Sequence, residues 1–239
     1  MTEQYPAHKQ LKQFSTAPHP CSYLPGMEAS TLFVDPDADI DRHTYTYLSE
    51  RGYRRSGQFL YKPDCQNCQA CISLRIPVKD YHFSRNERRI LKRNDDLQAF
   101  AVQHIFAEPF YRLYADYICA RHHDGDMYPP SPEQYRNFLN NGFGTSEFMV
   151  FTHDHAIKAV AVIDRLDNAL SAVYTFYDPF DDKRSLGTFV ILWQIQRAQE
   201  LGLDYVYLGY WVKNCQKMNY KTRFRPAEVL INRRWLRLL

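Results

Sequence analysis

The chain has no run of eighteen consecutive apolar residues, so no transmembrane helix is predicted. Met1 to Thr16 lack the apolar core of a secretory signal, and a cytoplasmic protein without a membrane partner is expected. There is no G-x-x-x-x-G-K-S/T and no G-x-G-x-x-G. The phosphate loop of ATP-using enzymes and the dinucleotide turn are therefore unsupported. Internal repeats and low-complexity segments are absent, which excludes repeat arrays and disordered linkers. A large excess of one charge is missing too: 30 Lys+Arg against 27 Asp+Glu leave only +3.

What is present describes a globular protein. With 45% hydrophobic and 24% charged residues, 239 residues suffice to bury a core. Aromatics reach 15%, 18 of them Tyr, a residue suited to half-wet surfaces and to stacking on bases. The near-neutral total also hides concentrated basic segments. Tyr210 to Leu239 holds eight basic residues and one acid, and Tyr81 to Arg93 holds five and one. Such segments mark a candidate polyanion binder. Ser84 and Glu87 have the spacing of a capping box, opening a helix on which Arg85, Arg88, Arg89 and Lys92 share one face. The second segment interleaves Lys213, Lys217, Lys221 and Arg223 with Tyr210, Trp211 and Tyr220. Cations for phosphates and flat rings for an unpaired base suit a single-stranded nucleic acid end, RNA or DNA; an ordinary solvated helix face is the competing reading of the first segment.

Six cysteines in a cytoplasmic chain argue against a disulfide framework. Cys65, Cys68 and Cys71 form C-x2-C-x2-C. With Cys21 they offer four thiolates to zinc or an iron–sulfur cluster. The alternative is a set of small, half-buried thiols around a tight turn.

The order of predicted elements gives the fold class. Residues 1–105 read as an irregular domain with a helix over 44–51, a strand over 72–78 and the Ser84 helix. Residues 106–239 read as two helices, three antiparallel strands over 147–152, 156–163 and 169–177, a helix over 186–201, a strand over 204–208 and a last strand over 227–231. This is the α+β order of an acetyltransferase-like mixed-sheet domain. Ser185-Leu186-Gly187-Thr188 opens its last helix, where free amides meet an anion or a carbonyl oxygen. One glycine is few for a coenzyme A pyrophosphate loop, and a plain helix start is the alternative.

Several motifs are more specific. Pro20-Cys21-Ser22-Tyr23-Leu24-Pro25, Gly52-Tyr53-Arg54-Arg55-Ser56-Gly57, Cys65-x-x-Cys68-x-Ala70-Cys71 and Arg75-x-Pro77-Val78 come first. Ser185 to Thr188, Tyr207-Leu208-Gly209-Tyr210-Trp211 and Lys217-Met218-x-Tyr220-Lys221-x-x-Phe224-x-Pro226 follow in order. Nearly end to end, the chain resembles the aminoacyl-tRNA–protein transferases, and the bacterial branch more than the eukaryotic arginine-transferring one. Leu24 and Ala70 stand where the arginyl branch carries cysteines, which weakens the transfer of any metal site.

The resemblance implies that leucine moves from leucyl-tRNA to the α-amino group of proteins or peptides beginning with Asp or Glu, creating a degradation signal. Neither DNA nor a cofactor is expected for that chemistry, because the ester is already activated. Arg54, Arg55 and Arg75 are then candidates for the acidic acceptor side chain, since guanidinium pairs with carboxylate as a fork; at least one is expected to be structural. Lys213, Lys217, Lys221 and Arg223, with Tyr210, Trp211 or Tyr220, would hold the tRNA acceptor end. Ser185, Gly187 and Thr188 would serve the oxyanion or ester, and Tyr177 and Asp178 would orient the amine, unless Asp178 only caps a turn. Three readings compete with leucine transfer: arginyl-tRNA as donor, a non-catalytic RNA-binding protein with a structural metal, and a coenzyme A-dependent acetyltransferase.

Overall fold

The protein is described here by a computed structural model covering residues 11–140 and 142–238. The Met1 to Thr16 leader reading lies mostly outside the described residues. The chain begins with β1 (Gln13–Ser15), the short hairpin β2 (His19–Pro20) and β3 (Glu28–Ala29), β4 (Thr31–Val34), α1 (Arg42–Glu50), β5 (Arg54–Ser56) and β6 (Phe59–Pro63). A small sheet has the order β1-β4-β6-β5, every pairing antiparallel. Asp41 caps α1 by accepting from the Thr44 amide at 2.7 Å. Gly52, with φ +88°, turns the chain out of that helix and into β5.

The remaining elements are β7 (Cys71–Pro77), α2 (Arg85–Arg93), β8 (Gln98–Val102), α3 (Glu108–Arg121), α4 (Pro132–Leu139), β9 (Ser146–His153), β10 (Ala156–Arg165), β11 (Ala169–Tyr177), α5 (Leu186–Glu200), β12 (Tyr205–Val212), β13 (Ala227–Ile231) and β14 (Arg234–Leu238). They build an eight-stranded sheet ordered β14-β13-β7-β12-β11-β10-β9-β8. Its one parallel pair is β11–β12, joined by the α5 crossover. The capping box forms as expected: Glu87 N–H donates to Ser84 Oγ, and Ser84 N–H to the Glu87 carboxylate.

The side chains alternate across the sheet. Leu74, Ile76, Phe151, Ala161, Leu170 and Val206 pack under α5, whose Val190, Leu192 and Ile195 are fully buried. Val150, Val160, Val162 and Phe176 point the other way, into the aromatic layer of α3 and α4. The small sheet and α1 cover the same side further along, through Tyr45, Leu48, Tyr53 and Leu60 against Leu166, Ala169 and Tyr207.

β7 and β8, from residues 1–105, are strands of the large sheet. One expectation needs correction: the chain does not end its sheet at Ile231. Asn232 and Arg233, both at positive φ, form a tight turn that returns the chain as β14. No helix among the described residues is long and apolar enough to cross a membrane.

Candidate active site

The site is a fork between two strands. β11 and β12 pair only over Ala169↔Tyr205, Leu170↔Val206 and Ser171↔Tyr207. Beyond these three steps β11 runs on to Tyr177 and β12 to Val212 without pairing, which leaves a wedge in the sheet. β12 also kinks here: its register against β7 shifts between Tyr207 and Gly209, and Gly209 has φ +80°. That conformation favours glycine, and a Cβ at this position would overlap the guanidinium of Arg54.

Arg54 therefore sits in the fork. Its Nη2 donates to the Ala172 carbonyl of β11 at 2.8 Å, while its Nη1 is buried with no hydrogen-bond partner. A buried unmatched donor is costly unless a ligand completes it. On the β12 side, Lys221 is 9% exposed and Nζ donates to the Tyr210 carbonyl at 2.6 Å. Its pKa is pulled down to about 7, first by burial and then by the Arg54 charge, with Cys215 opposing.

Tyrosines line the rest of the wedge. The Tyr177 ring covers Gly187 so closely that a Cβ there would come within 2.9 Å of the ring. Tyr117 lies with its ring 4.8 Å from that of Tyr177, is hydrogen-bonded to it, and also pairs with His122 Nε2 at 3.0 Å. Burial, reinforced by Lys217, holds His122 below its ordinary pKa. Tyr220 stays 44% exposed within range of Arg54 and Tyr177. Ser185 precedes α5 in the left-handed region at φ 54°, and no side chain caps the helix. Its first-turn amides, including those of Gly187 and Thr188, are unclaimed by a cap, as an ester or oxyanion requires.

The three candidate acceptor arginines separate sharply. Arg55 is buried in a bidentate pair with Asp164, at 2.6 and 2.9 Å, and also bonds the carbonyls of Gly57 and Asn140. Arg75 pairs with Glu228 at 2.8 Å and is sandwiched between Tyr205 and Trp235, 3.6 and 4.2 Å from the ring centres. Both have a carboxylate partner close at hand. Of the three, Arg54 is the one with a buried nitrogen that no hydrogen bond satisfies.

Other assignments also change. Asp178 is paired to Lys158 at 2.9 Å and accepts from the Phe180 amide, so it caps the turn and does not face an amine. Tyr210 is buried with its hydroxyl on the Gly52 carbonyl at 2.7 Å, out of reach of a base. Lys221 is buried, unlike the exposed cations of the same segment. Trp211 is half-buried with Nε1 unmatched. Arg85, Arg88, Arg89, Lys92, Lys213, Lys217 and Arg223 are exposed, as an RNA-facing surface needs, although Lys217 bonds Asp124.

Beside the fork, a groove of about 1550 Å³ runs between the small sheet and the edge of β7 and β13. Tyr23, Tyr61 and Tyr210 line it and lie within range of the Arg54 charge, so one end of the groove reaches the fork. Cys21, Cys65, Cys68 and Cys71 line it as well. Burial, followed by the neighbouring thiols of Cys21, Cys65, Cys68 and Cys215, pushes Cys71 up to about 12, so these thiols lie close to one another in the groove. Cys65 donates to the Ser30 carbonyl and Cys21 accepts from the Tyr23 amide. Among the described residues no three Cys, His, Asp or Glu side chains converge on one ion.

Comparison with known proteins places this fork in a family. The profile "Arginine-tRNA-protein transferase, N terminus" matches residues 19–89, and that of the C terminus matches residues 109–231. The chain belongs to the arginine-tRNA–protein transferase family. Similar relatives include the aspartate/glutamate leucyltransferases of Pseudomonas fluorescens, 56% identical over 95% of this chain and 96% of theirs, and of Stutzerimonas stutzeri, 57% identical over 95% and 97%. Among solved structures, FemX matches with a TM-score of 0.49 at 8% identity, covering 87% of this chain and 81% of that one. The C-terminal domain of a lysylphosphatidylglycerol synthetase from Agrobacterium fabrum matches at 0.49 and 12%, covering 80% and 62%. Sequence reasoning missed Tyr117, His122 and the role of Gly209. Only the three-dimensional fork brings these residues to Tyr177 and Arg54.

Proposed function

We propose that this chain transfers leucine from leucyl-tRNA to the α-amino group of proteins beginning with Asp or Glu, in the fork between β11 and β12. The observation that carries this reading is Arg54, a guanidinium held between the two strands with one nitrogen unmatched. A carboxylate on the acceptor supplies the missing partner, with a charge-assisted hydrogen bond. The groove lined by Tyr23 and Tyr61 gives the following residues of the acceptor chain a path away from it.

The donor approaches from the other side. Aminolysis of an aminoacyl ester needs the amine oriented, one proton removed and a tetrahedral oxyanion stabilised. The first turn of α5, which no side chain caps, supplies amides such as that of Thr188 for the oxyanion. Tyr177 over Gly187 fills the space where a coenzyme A pyrophosphate would need bare glycine backbone, which favours an ester brought by RNA. The exposed cations of α2 and of the 213–223 segment suit the tRNA backbone.

Leucine fits this site better than arginine. An arginyl side chain calls for a carboxylate partner, yet the acids that follow β11 are already engaged: Asp178 with Lys158, and Asp181 with Lys158 and Arg184. The test is transfer from radiolabelled leucyl-tRNA and, in parallel, arginyl-tRNA to an Asp-initiated peptide. Leucine incorporation alone is expected. Arginine incorporation alone would move the chain to the other donor, and tRNA binding without transfer would reduce it to an RNA-binding protein.

A further inference from the structure

The fork holds a second cation that the transfer reading does not yet use. Gly209 and Tyr210 are consecutive residues of β12: the first admits the Arg54 guanidinium, and the carbonyl of the second accepts from Lys221 Nζ at 2.6 Å. Two basic groups from distant parts of the chain, residues 54 and 221, thus meet at one kink. Neither forms an ion pair among the described residues. The groups around Lys221 are Arg54 from β5, Tyr210 from β12, Tyr220, whose ring centre lies 5.9 Å from Nζ, and Cys215. No carboxylate is among them. A lysine in such a place has no counter-ion for its charge.

Resting on the transfer reading above, we propose that Lys221 accepts the proton of the incoming α-ammonium, and that the acceptor's own side-chain carboxylate switches Lys221 on by neutralising Arg54. Before the acceptor binds, burial and the Arg54 charge keep about half of Lys221 neutral near pH 7. A neutral amine that donates one N–H to a carbonyl retains its lone pair for a proton. When a carboxylate docks on Arg54, the repulsion is removed and the proton affinity of Lys221 rises. The α-ammonium then gives one proton to Nζ, leaving a free amine and a lysine ammonium. The amine attacks the leucyl ester carbonyl, forming the C–N bond. As the C–O bond to the tRNA ribose breaks, the second amine proton passes to the departing ribose oxygen. Product is a leucyl peptide bond and free tRNA, and Lys221 returns its proton to solvent. In this scheme acidic specificity and base activation are one event, so an Asn-initiated peptide loses turnover as well as affinity.

The test compares the full-length wild type with Lys221→Arg and Lys221→Met, using leucyl-tRNA and an Asp-initiated peptide, with kcat and KM followed from pH 5.5 to 9 (about the window in which the lysine and the amine titrate). Lys221→Arg keeps the charge without a usable base, and Lys221→Met keeps the stem in its buried slot. Both are expected to lose ~10²-fold or more in kcat at neutral pH. Their KM for tRNA should be unchanged. Their residual rates should climb about tenfold per pH unit toward the acceptor amine's own pKa near 8, replacing the wild-type acid limb. A wild-type rate and pH profile in either variant would overturn the proposal, as would a loss of transfer matched by an equal loss of tRNA affinity. Failure of the wild type to transfer leucine at all would instead sink the transfer reading beneath it.

Discussion

Arg54 and Arg55 are neighbours on β5 and face opposite sides of a three-residue strand. Arg55 reaches into the junction between the small sheet and β10, where Asp164, Tyr45 and Ser146 complete a closed network. Asp164 Oδ2 accepts from Tyr45 at 2.7 Å and Oδ1 from Ser146 at 2.6 Å. Arg54 turns the other way, into the fork, and finds one carbonyl and another cation. The same side chain, one residue apart, serves as a rivet in one region and as an unfilled site in the other. What separates them is the set of partners each side chain finds, not residue type.

The comparison can be broken first at the rivet. Arg55→Met leaves Asp164 buried without its counter-ion, which costs about 3–5 kcal/mol. For a chain of this size thermal denaturation should show a melting temperature lower by ~10 °C or more. An unchanged melting temperature would mean that the junction is not held by this pair.

The fork should respond in the opposite sense. Lys221→Met removes a buried cation and is expected to stabilise the protein by a few kcal/mol, at about 1.4 kcal/mol per unit of pKa shift. The folded-state pKa of about 7 lies below the unfolded value of 10.5, so the unfolded chain binds more protons between those limits. Wild-type stability therefore rises with pH across that window. The advantage of Lys221→Met is full below pH 7 and fades toward pH 10.5, and melting curves at pH 6 and pH 9 would reveal it. An advantage that grew with pH would contradict a depressed lysine.

Arg54→Ala should leave the melting temperature within ~3 °C of wild type, since no closed network is lost. Its effect belongs to transfer, where removing one member of a charged pair lowers kcat/KM for an Asp-initiated peptide ~30- to 1000-fold, roughly 2–4 kcal/mol. The smallest change is expected at Asp178→Asn. This carboxylate is partly exposed and caps a turn, so stability should fall by about 1 kcal/mol or less and transfer by no more than a few-fold. A hundredfold loss of transfer there would restore Asp178 to the reacting atoms.

Much of this architecture can be read from local signals. The Ser84–Glu87 capping box, the meander from residue 146 to 177 and the α5 crossover all follow from short-range patterns. The small sheet is harder to see, because β1 to β5 are each two to four residues long and too short to show periodicity. The site is legible in part. Arg54 and Arg55 look equivalent in the string Gly52 to Gly57 until that string is placed on a strand, whose alternation then forbids a shared role. Arg75 could have been discounted in the same way, since it stands between Leu74 and Ile76 in a strand that packs on both faces. Lys221 gives no such signal. It lies in a polar run, Gln216–Arg223, that reads as a solvated basic patch, and its burial arises only because the run folds back onto β12. Tyr117, which carries His122 on its hydroxyl, reaches Tyr177 from α3 across sixty positions, a juxtaposition that local sequence cannot express.

The most direct test of the account uses two peptides that differ only in Asp or Asn at their first residue, with single-turnover leucine transfer measured for the wild type and for Arg54→Ala. The wild type is expected to prefer Asp by ~10²-fold or more, and in Arg54→Ala that preference should collapse toward unity with both rates slow. An Arg54→Ala protein that still prefers Asp over Asn as strongly as the wild type would contradict the claim that the fork reads the acceptor's carboxylate through Arg54.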